Sequence, residues 1–205
     1  MKKEQMHELL LQSLDVERGG IQIYEAAVEC AIDDELREEW QRYLQQTRRH
    51  EQIVIRLLEE LGLEEEESPG RKVVRTIGQG LVDAIRQAQQ AGDAEAAQLV
   101  AAECIVLAET KDHLDWALIS ELAKQADSAE GHPLREAADQ VEDEEDEHLY
   151  HASGWTRELW LANLGLEAVL PPPEETQHVK TALAEARVFT EAGERSGRKR
   201  AKRRR

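Results

Sequence analysis

The chain has 205 residues, a formal net charge of −17, and 40% hydrophobic but only 4% aromatic residues. That length and aliphatic content allow one sizeable domain with its own core. The dominance of Ala, Glu, Leu, Arg and Gln over Gly and Pro favours helix and gives almost no strand signal. No apolar run approaches the roughly 18 residues that a membrane span needs, and the start MKKEQMHELLLQSL acquires Glu4, His7 and Glu8 before any apolar stretch develops, unlike a signal peptide.

The first helix is predicted from about Lys3 to Ala31, with a seam at Leu10, Leu14, Glu17, Ile21, Tyr24 and Val28 in steps of four and three. Asp33, Asp34 and Glu35 place acids at the positive end of a second helix, which runs to about Leu61 and stops at Gly62. Its seam is Tyr43, Thr47, His50, Val54, Leu57 and Leu61. The acidic break GLEEEESPG leads to an amphipathic piece over about 71–91, with Gly78 and Gly80 weakening it as a free-standing helix. Asp93 caps a third long helix that extends to about Ala126, with a seam at Leu99, Ala102, Val106, Glu109, His113, Trp116, Ser120 and Ala123. The loop DSAEGHP, with Pro133 suited to a first helical position, opens the fourth. Its seam is Leu134, Ala138, Val141, Glu145, His148, Ala152, Trp155 and Leu159, and it fades at Gly165.

The expected fold is therefore all-α: a four-helix bundle over 1–165 with a crossover helix. A Pro-rich linker and a short C-terminal helix (Val179, Leu183, Ala186, Phe189) follow over 166–192. A disordered basic tail closes the chain over 193–205. Residues 198–205 (RKRAKRRR) carry seven positive charges, which leaves −24 on the remainder. Cys30 and Cys104, without CxxC spacing, read as small buried hydrophobes in a reducing cytoplasm.

Five ionisable residues interrupt the apolar seams near the middle of the four long helices: Glu17, His50, Glu109, Glu145 and His148. Burying such groups unpartnered costs several kcal/mol each. Carboxylates gathered in a dry core must protonate or bind cations, and glutamate with imidazole suits iron, manganese or zinc over magnesium or calcium. Glu145-Asp146-Glu147-His148 has the inward Glu-x-x-His spacing of dimetal-carboxylate bundles.

This pattern resembles the ferritin-like superfamily, in particular rubrerythrin-like diiron-carboxylate proteins, over about Leu9 to Leu164. Glu17 with Tyr24 and Glu109 with Trp116 match the family's glutamate followed seven residues on by an aromatic; Glu145 and His148 match its Glu-x-x-His. The second helix departs from it, with Thr47 where the family has a bridging Glu three residues before His50. His113, one turn beyond Glu109, is the candidate for the missing donor, and Glu51 bridges only if the register shifts. Manganese catalases, in the same superfamily, are similar in having an asymmetric ligand set.

The resemblance implies a metal-binding oxidoreductase that takes iron, or manganese as second choice, and acts on oxygen, peroxide or ferrous iron. Metal ligands would be Glu17, His50, Glu109, His113, Glu145 and His148. Tyr24 would hydrogen-bond a bound oxygen species or a bridging carboxylate, and a homo-oligomer is expected. Two other readings stand beside it: a non-catalytic stress or assembly protein with a decayed site, and nucleic-acid binding of a Dps-like kind through Arg198–Arg205. The acidic run Glu142–Glu147 reads as a solvated face apart from Glu145. His151 reads as peripheral, suited to an outer shell or a proton route, and Trp155 and Trp160 read as packing.

Overall fold

The computed structural model describes residues 2–126 and 128–176. The expected C-terminal helix and the basic tail lie outside the described residues. Among those described there are five α-helices and no strand: α1 (Lys3–Cys30), α2 (Asp34–Glu60), α3 (Pro69–Gln90), α4 (Ala94–Gln125) and α5 (Ser128–Asn163), followed by a short 3-10 turn, Pro173–Thr176. No described helix is long and apolar enough to cross a membrane.

Local signals set the helix ends. The Asp33 side chain accepts from the Leu36 amide, Ser68 from Arg71 and Asp93 from Ala96, each satisfying an amide donor that the first turn would leave bare. Gly62 (φ 65°) and Gly92 (φ 84°) take the left-handed conformation just past the ends of α2 and α3, where a Cβ would be strained.

The start of α5 differs from the sequence expectation. It begins at Ser128, so Pro133 lies inside the helix and not at its first position. Gly131 supplies the reason: a Cβ there would lie 3.2 Å from the Ala126 carbonyl oxygen and 3.3 Å from that of Ala123. The glycine read as a break lets the first turns of α5 press against the end of α4, with the loss of one helical hydrogen bond at Pro133.

The four long helices form a closed ring of neighbours, α1 against α2, α2 against α5, α5 against α4, and α4 against α1. Cross-helix pairs fix the directions. Arg18 meets Glu51 and Arg48 meets Glu25 between α1 and α2, while Glu103 accepts from Trp160 and Glu142 from Ser120 between α4 and α5. Tyr24 with Glu109 and Glu17 with Trp116 between α1 and α4, and Tyr43 with His151 and Arg49 with Glu144 between α2 and α5, run the same way, so every neighbour is antiparallel and α2 and α4 are parallel. The chain leaving α2 must therefore travel the length of the ring before α4 starts, and α3 makes that journey, about 33 Å at helical rise. It packs on α1 and α4, crossing α1 where Gly78 meets Gly19; a Cβ at Gly78 would lie 3.6 Å from the Gly19 Cα.

Two apolar cores fill the ring. One gathers Ile23, Tyr24, Ala27, Leu36, Trp40, Tyr43, Ile85, Ile105 and Trp155. The other gathers Leu10, Leu14, Val54, Leu57, Trp116, Ile119, Leu134 and Val141. Cys30 and Cys104 are buried free thiols, and burial pushes the Cys104 thiol up to about 11. Trp155 is buried, whereas Trp160 is exposed and donates to Glu103.

The crossover is pinned by a buried ion pair. Arg71 of α3 donates through Nε and Nη2 to both Asp15 oxygens at 2.7 Å, and Arg75 reaches the same carboxylate at 3.0 Å. Removing one partner of such a pair leaves a charge buried alone. Arg71→Leu is expected to cost about 3 kcal/mol in urea unfolding, the low end of the range for broken buried pairs because Arg75 still reaches Asp15. Arg75→Leu is expected to cost less than half as much.

Candidate metal centre

Between the two cores lies a polar layer. Glu17, His50, Glu109, Glu145 and His148 are all buried, none more than 3% exposed. They supply two groups whose ligand atoms lie within 4.8 Å of one another: Glu17, His50 and Glu145, and Glu109, Glu145 and His148. Glu145 belongs to both.

Each outer glutamate is held by an aromatic from the other half of the ring. The Tyr24 hydroxyl of α1 donates to Glu109 Oε1 of α4 at 2.8 Å, and the Trp116 indole of α4 donates to Glu17 Oε1 of α1 at 2.8 Å. The seven-residue spacing from Glu17 to Tyr24 and from Glu109 to Trp116 makes this exchange possible, because two turns along antiparallel helices bring each aromatic level with the other's acid. In both glutamates the second oxygen has no hydrogen-bond partner.

The imidazoles are oriented in the same way, tail outward. His50 Nε2 lies 2.8 Å from Glu144 Oε2, and His148 Nε2 lies 2.9 Å from the Gln46 amide oxygen. Both acceptors take the proton on Nε2, so it is Nδ1 that faces the layer, where the neutral ring would offer its lone pair to a metal. His50 Nδ1 is 2.9 Å from Glu145 Oε1, and His148 Nδ1 is 3.3 Å from the same oxygen and 3.4 Å from Glu109 Oε2. None of these approaches has hydrogen-bond alignment, so both Nδ1 atoms and both Glu145 oxygens are unsatisfied. The rings stack with centroids 5.7 Å apart.

Two of the expected residues fall elsewhere. His113 lies outside the layer, 36% exposed, with Nδ1 3.2 Å from Asp146. Glu51 accepts from Arg18 on the flank of α2. In place of His113, Asp112 points inward: it is buried, its Oδ1 is unpartnered, and it feels the charges of Glu145, Glu17 and Glu109. The buried face of α4 steps Ile105, Glu109, Asp112, Trp116, Ile119. From Glu109 to Trp116 is seven residues whichever way the seam is divided, and division as four and three selects His113 while three and four selects Asp112. The same slip affects α1, where Gly20 and Ala27 are buried and Ile21 and Val28 are half-buried.

Gly20 and Asp112 thus occupy equivalent places three residues after their glutamates, and Thr47 and Glu145 equivalent places three before their histidines. A Cβ at Gly20 would meet Thr47 Cγ2 at 3.2 Å, and the Thr47 hydroxyl turns back to the Tyr43 carbonyl at 3.0 Å. The α1–α2 half fills with Gly and Thr the positions that carry Asp and Glu in the α4–α5 half. Glu144, part of a run expected to be solvated, proves to be the acceptor that sets the His50 ring; its one-residue offset from Glu145 is the only sequence signal of that role.

The charges of the layer act strongly on one another. Burial lifts Glu17 to about 8, against the opposing pull of His50, and lifts Asp112 well above the usual carboxylate range. Burial alone would depress both imidazoles, but Glu144 and Glu145 bring His50 up to about 9, and Glu145 and Glu109 bring His148 up to about 10. Burial likewise opposes Glu145, which the two imidazoles nevertheless hold down at about 2. Protons here do the neutralising that cations would otherwise do. Comparison with protein-family models, with curated proteins and with solved structures gave no match.

These shifts give the chelator-treated chain a distinctive pH dependence. Glu17, His50 and His148 bind protons more tightly folded than unfolded, so their contribution is lost as pH rises from the ordinary values of 4.5 and 6.5 through about 8, 9 and 10. Glu145 has the opposite sign, its contribution being lost as pH falls from 4.5 toward about 2. The thermal midpoint is expected to peak at about pH 4.5, where Glu145 stops gaining and Glu17 begins to lose, and to fall by more than ~2–4 °C by about pH 9, the change that 1 kcal/mol brings in a domain of this size. His148→Gln is expected to flatten that fall, as measured by calorimetry across the pH series.

Proposed function

We propose that this chain is a ferritin-like dimetal-carboxylate protein whose polar layer binds two divalent cations, iron in first place and manganese in second. The reading is carried by Glu145: common to both ligand groups and 1% exposed, with Oε2 unpartnered and Oε1 2.9 and 3.3 Å from two imidazole Nδ1 atoms. A buried carboxylate shared by two ligand groups demands counter-charge, which imidazole protons supply in the absence of metal and two cations would supply when bound.

The donor set suits such ions. Carboxylate oxygens with imidazole nitrogens favour iron, manganese and zinc. Four carboxylates (Glu17, Glu109, Asp112 and Glu145) with two neutral imidazoles balance two divalent charges. Glu17 and His50 would serve one cation, Glu109 and His148 the other, with Glu145 between them. Bound iron or manganese would supply electron transfer to oxygen or peroxide, in a reaction that oxidises ferrous iron or removes peroxide.

The protein's own residues would do the rest. Tyr24 and Trp116 each occupy one oxygen of an outer glutamate and leave the other free to ligate. Glu144 and Gln46 fix both ring tautomers. The flanking apolar cores keep bulk water from the layer, so each charge acts at short range in a low dielectric.

Thr47 favours a second reading, in which the bundle persists without oxidation chemistry. One experiment separates them: elemental analysis of the purified chain before and after anaerobic ferrous loading, followed by oxygen while absorbance is recorded. The proposal expects about two metal ions per chain, as in two-metal sites generally, and an absorption change on oxygenation. Metal near zero with the helices intact favours the second reading. Glu145→Ala and His148→Ala are each expected to lower metal content by half or more; full metal in both would overturn the ligand assignment. Asp112→Asn is expected to bind less metal than the parent while folding normally, because a neutral amide no longer balances charge.

A further inference from the structure

Outside the ligand groups, the layer continues into a second buried polar pair. The Tyr43 hydroxyl of α2 lies 2.6 Å from His151 Nδ1 of α5. Both residues are buried, Tyr43 at 1% and His151 at 7% exposure. The Tyr43 ring also lies against His148, one of the ligand imidazoles, with centroids 4.2 Å apart. On one side Tyr43 therefore touches the candidate centre, and on the other it is hydrogen-bonded to a base that belongs to neither ligand group.

The third neighbour is compatible with a phenol that donates to His151. Arg42 places its guanidinium 5.0 Å over the Tyr43 ring and approaches the phenolic oxygen with Nη2 at 3.4 Å. A guanidinium only donates, so Arg42 makes no claim on the phenolic proton, which His151 Nδ1 accepts in the tautomer that carries the ring proton on Nε2. His151 in turn lies within the electrostatic reach of Glu174 in the 3-10 turn, an anion placed to meet positive charge on the ring.

A phenol is hard to oxidise while it keeps its proton, because the radical cation is a strong acid. A base already hydrogen-bonded to it removes that obstacle. We infer that Tyr43 and His151 form a proton-coupled one-electron redox pair that relays electrons to the Glu/His layer. One electron leaves Tyr43 for a one-electron oxidant derived from oxygen or peroxide at the layer. The phenolic O–H bond breaks, an N–H bond forms at His151 Nδ1, and a neutral tyrosyl radical faces an imidazolium opposed by Glu174. An external one-electron reductant then returns the electron, the Nδ1–H bond breaks and the O–H bond re-forms. The net result is one electron moved inward with no proton gained or lost by the pair.

Tyr24 is the contrasting case. Its hydroxyl donates to Glu109, a carboxylate of the ligand group, and a cation on that carboxylate removes the basicity a departing proton would need. Tyr24 is thereby a positioning residue and Tyr43 the redox residue. The relay role rests on the function proposed above, whereas the redox activity of the pair is a property of the polypeptide and can be measured without metal.

The test uses the full chain, chelator-treated, with a ruthenium polypyridyl photo-oxidant as the one-electron acceptor and freeze-quenched electron paramagnetic resonance as readout. The expected result is a tyrosyl signal that is lost in Tyr43→Phe and retained in Tyr24→Phe, and that forms more slowly in deuterated water. His151→Leu is expected to slow its formation by roughly 10²-fold, the low end of what a positioned proton acceptor contributes, with added imidazole restoring part of the rate. A signal that persists in Tyr43→Phe, or equal rates in His151→Leu and the parent without an isotope effect, would overturn the inference. If the pair behaves as expected but the chain takes up no metal, the redox pair stands and the dimetal function falls. If metal is taken up but Tyr43 gives no radical signal, the dimetal function stands and the redox pair falls.

Discussion

The structure depends on how a layer of charge survives between two apolar cores. Its answer is reciprocal: Tyr24 and Glu17 on α1, Trp116 and Glu109 on α4, each aromatic donating to the other helix's acid. Each exchange satisfies one carboxylate oxygen and leaves the other unsatisfied. A design that wanted only stability would fill these positions with aliphatic side chains, since replacing buried ionic groups by well-packed apolar ones is often neutral or favourable. Retaining them at the centre of four long helices commits the protein to supplying counter-charge, from protons or from cations.

The ring topology places that layer. Because each long helix is antiparallel to both neighbours, residues near the middle of all four meet at one level. The crossover α3 makes such a ring possible by carrying the chain back from α2 to the start of the parallel α4. It is tied down by Arg71 on Asp15 and by the glycine contact at Gly19 and Gly78.

The asymmetry of the two halves is informative in itself. The α4–α5 half carries Asp112 and Glu145 where the α1–α2 half carries Gly20 and Thr47, and the close approach of Gly20 to Thr47 closes the space on that side. Negative charge is concentrated on one side of the layer, while Tyr43 and His151 extend the polar region from α2 to α5 and toward the turn that holds Glu174. Chemistry at the proposed centre would be lopsided in the same sense, with charge balance on one flank and an electron and proton route on another.

Much was legible in one dimension. Helical periodicity and the Asp33 and Asp93 caps determined the all-α class and most helix boundaries, because amphipathic spacing and capping are local properties of the chain. The inward positions of Glu17, His50, Glu109, Glu145 and His148 were readable for the same reason. Whether the seam of α4 ran through residue 112 or 113 was not, since three-then-four and four-then-three steps are equally helical and only packing against α1 and α5 selects Asp112. The helical turns before Pro133 were hidden because Gly131 acts there as a contact and not as a break. The pairings Tyr24 with Glu109, Trp116 with Glu17, Glu144 with His50 and Tyr43 with His151 join residues 85 to 108 positions apart in the chain. No local pattern encodes such distances; they exist only once the antiparallel ring has closed.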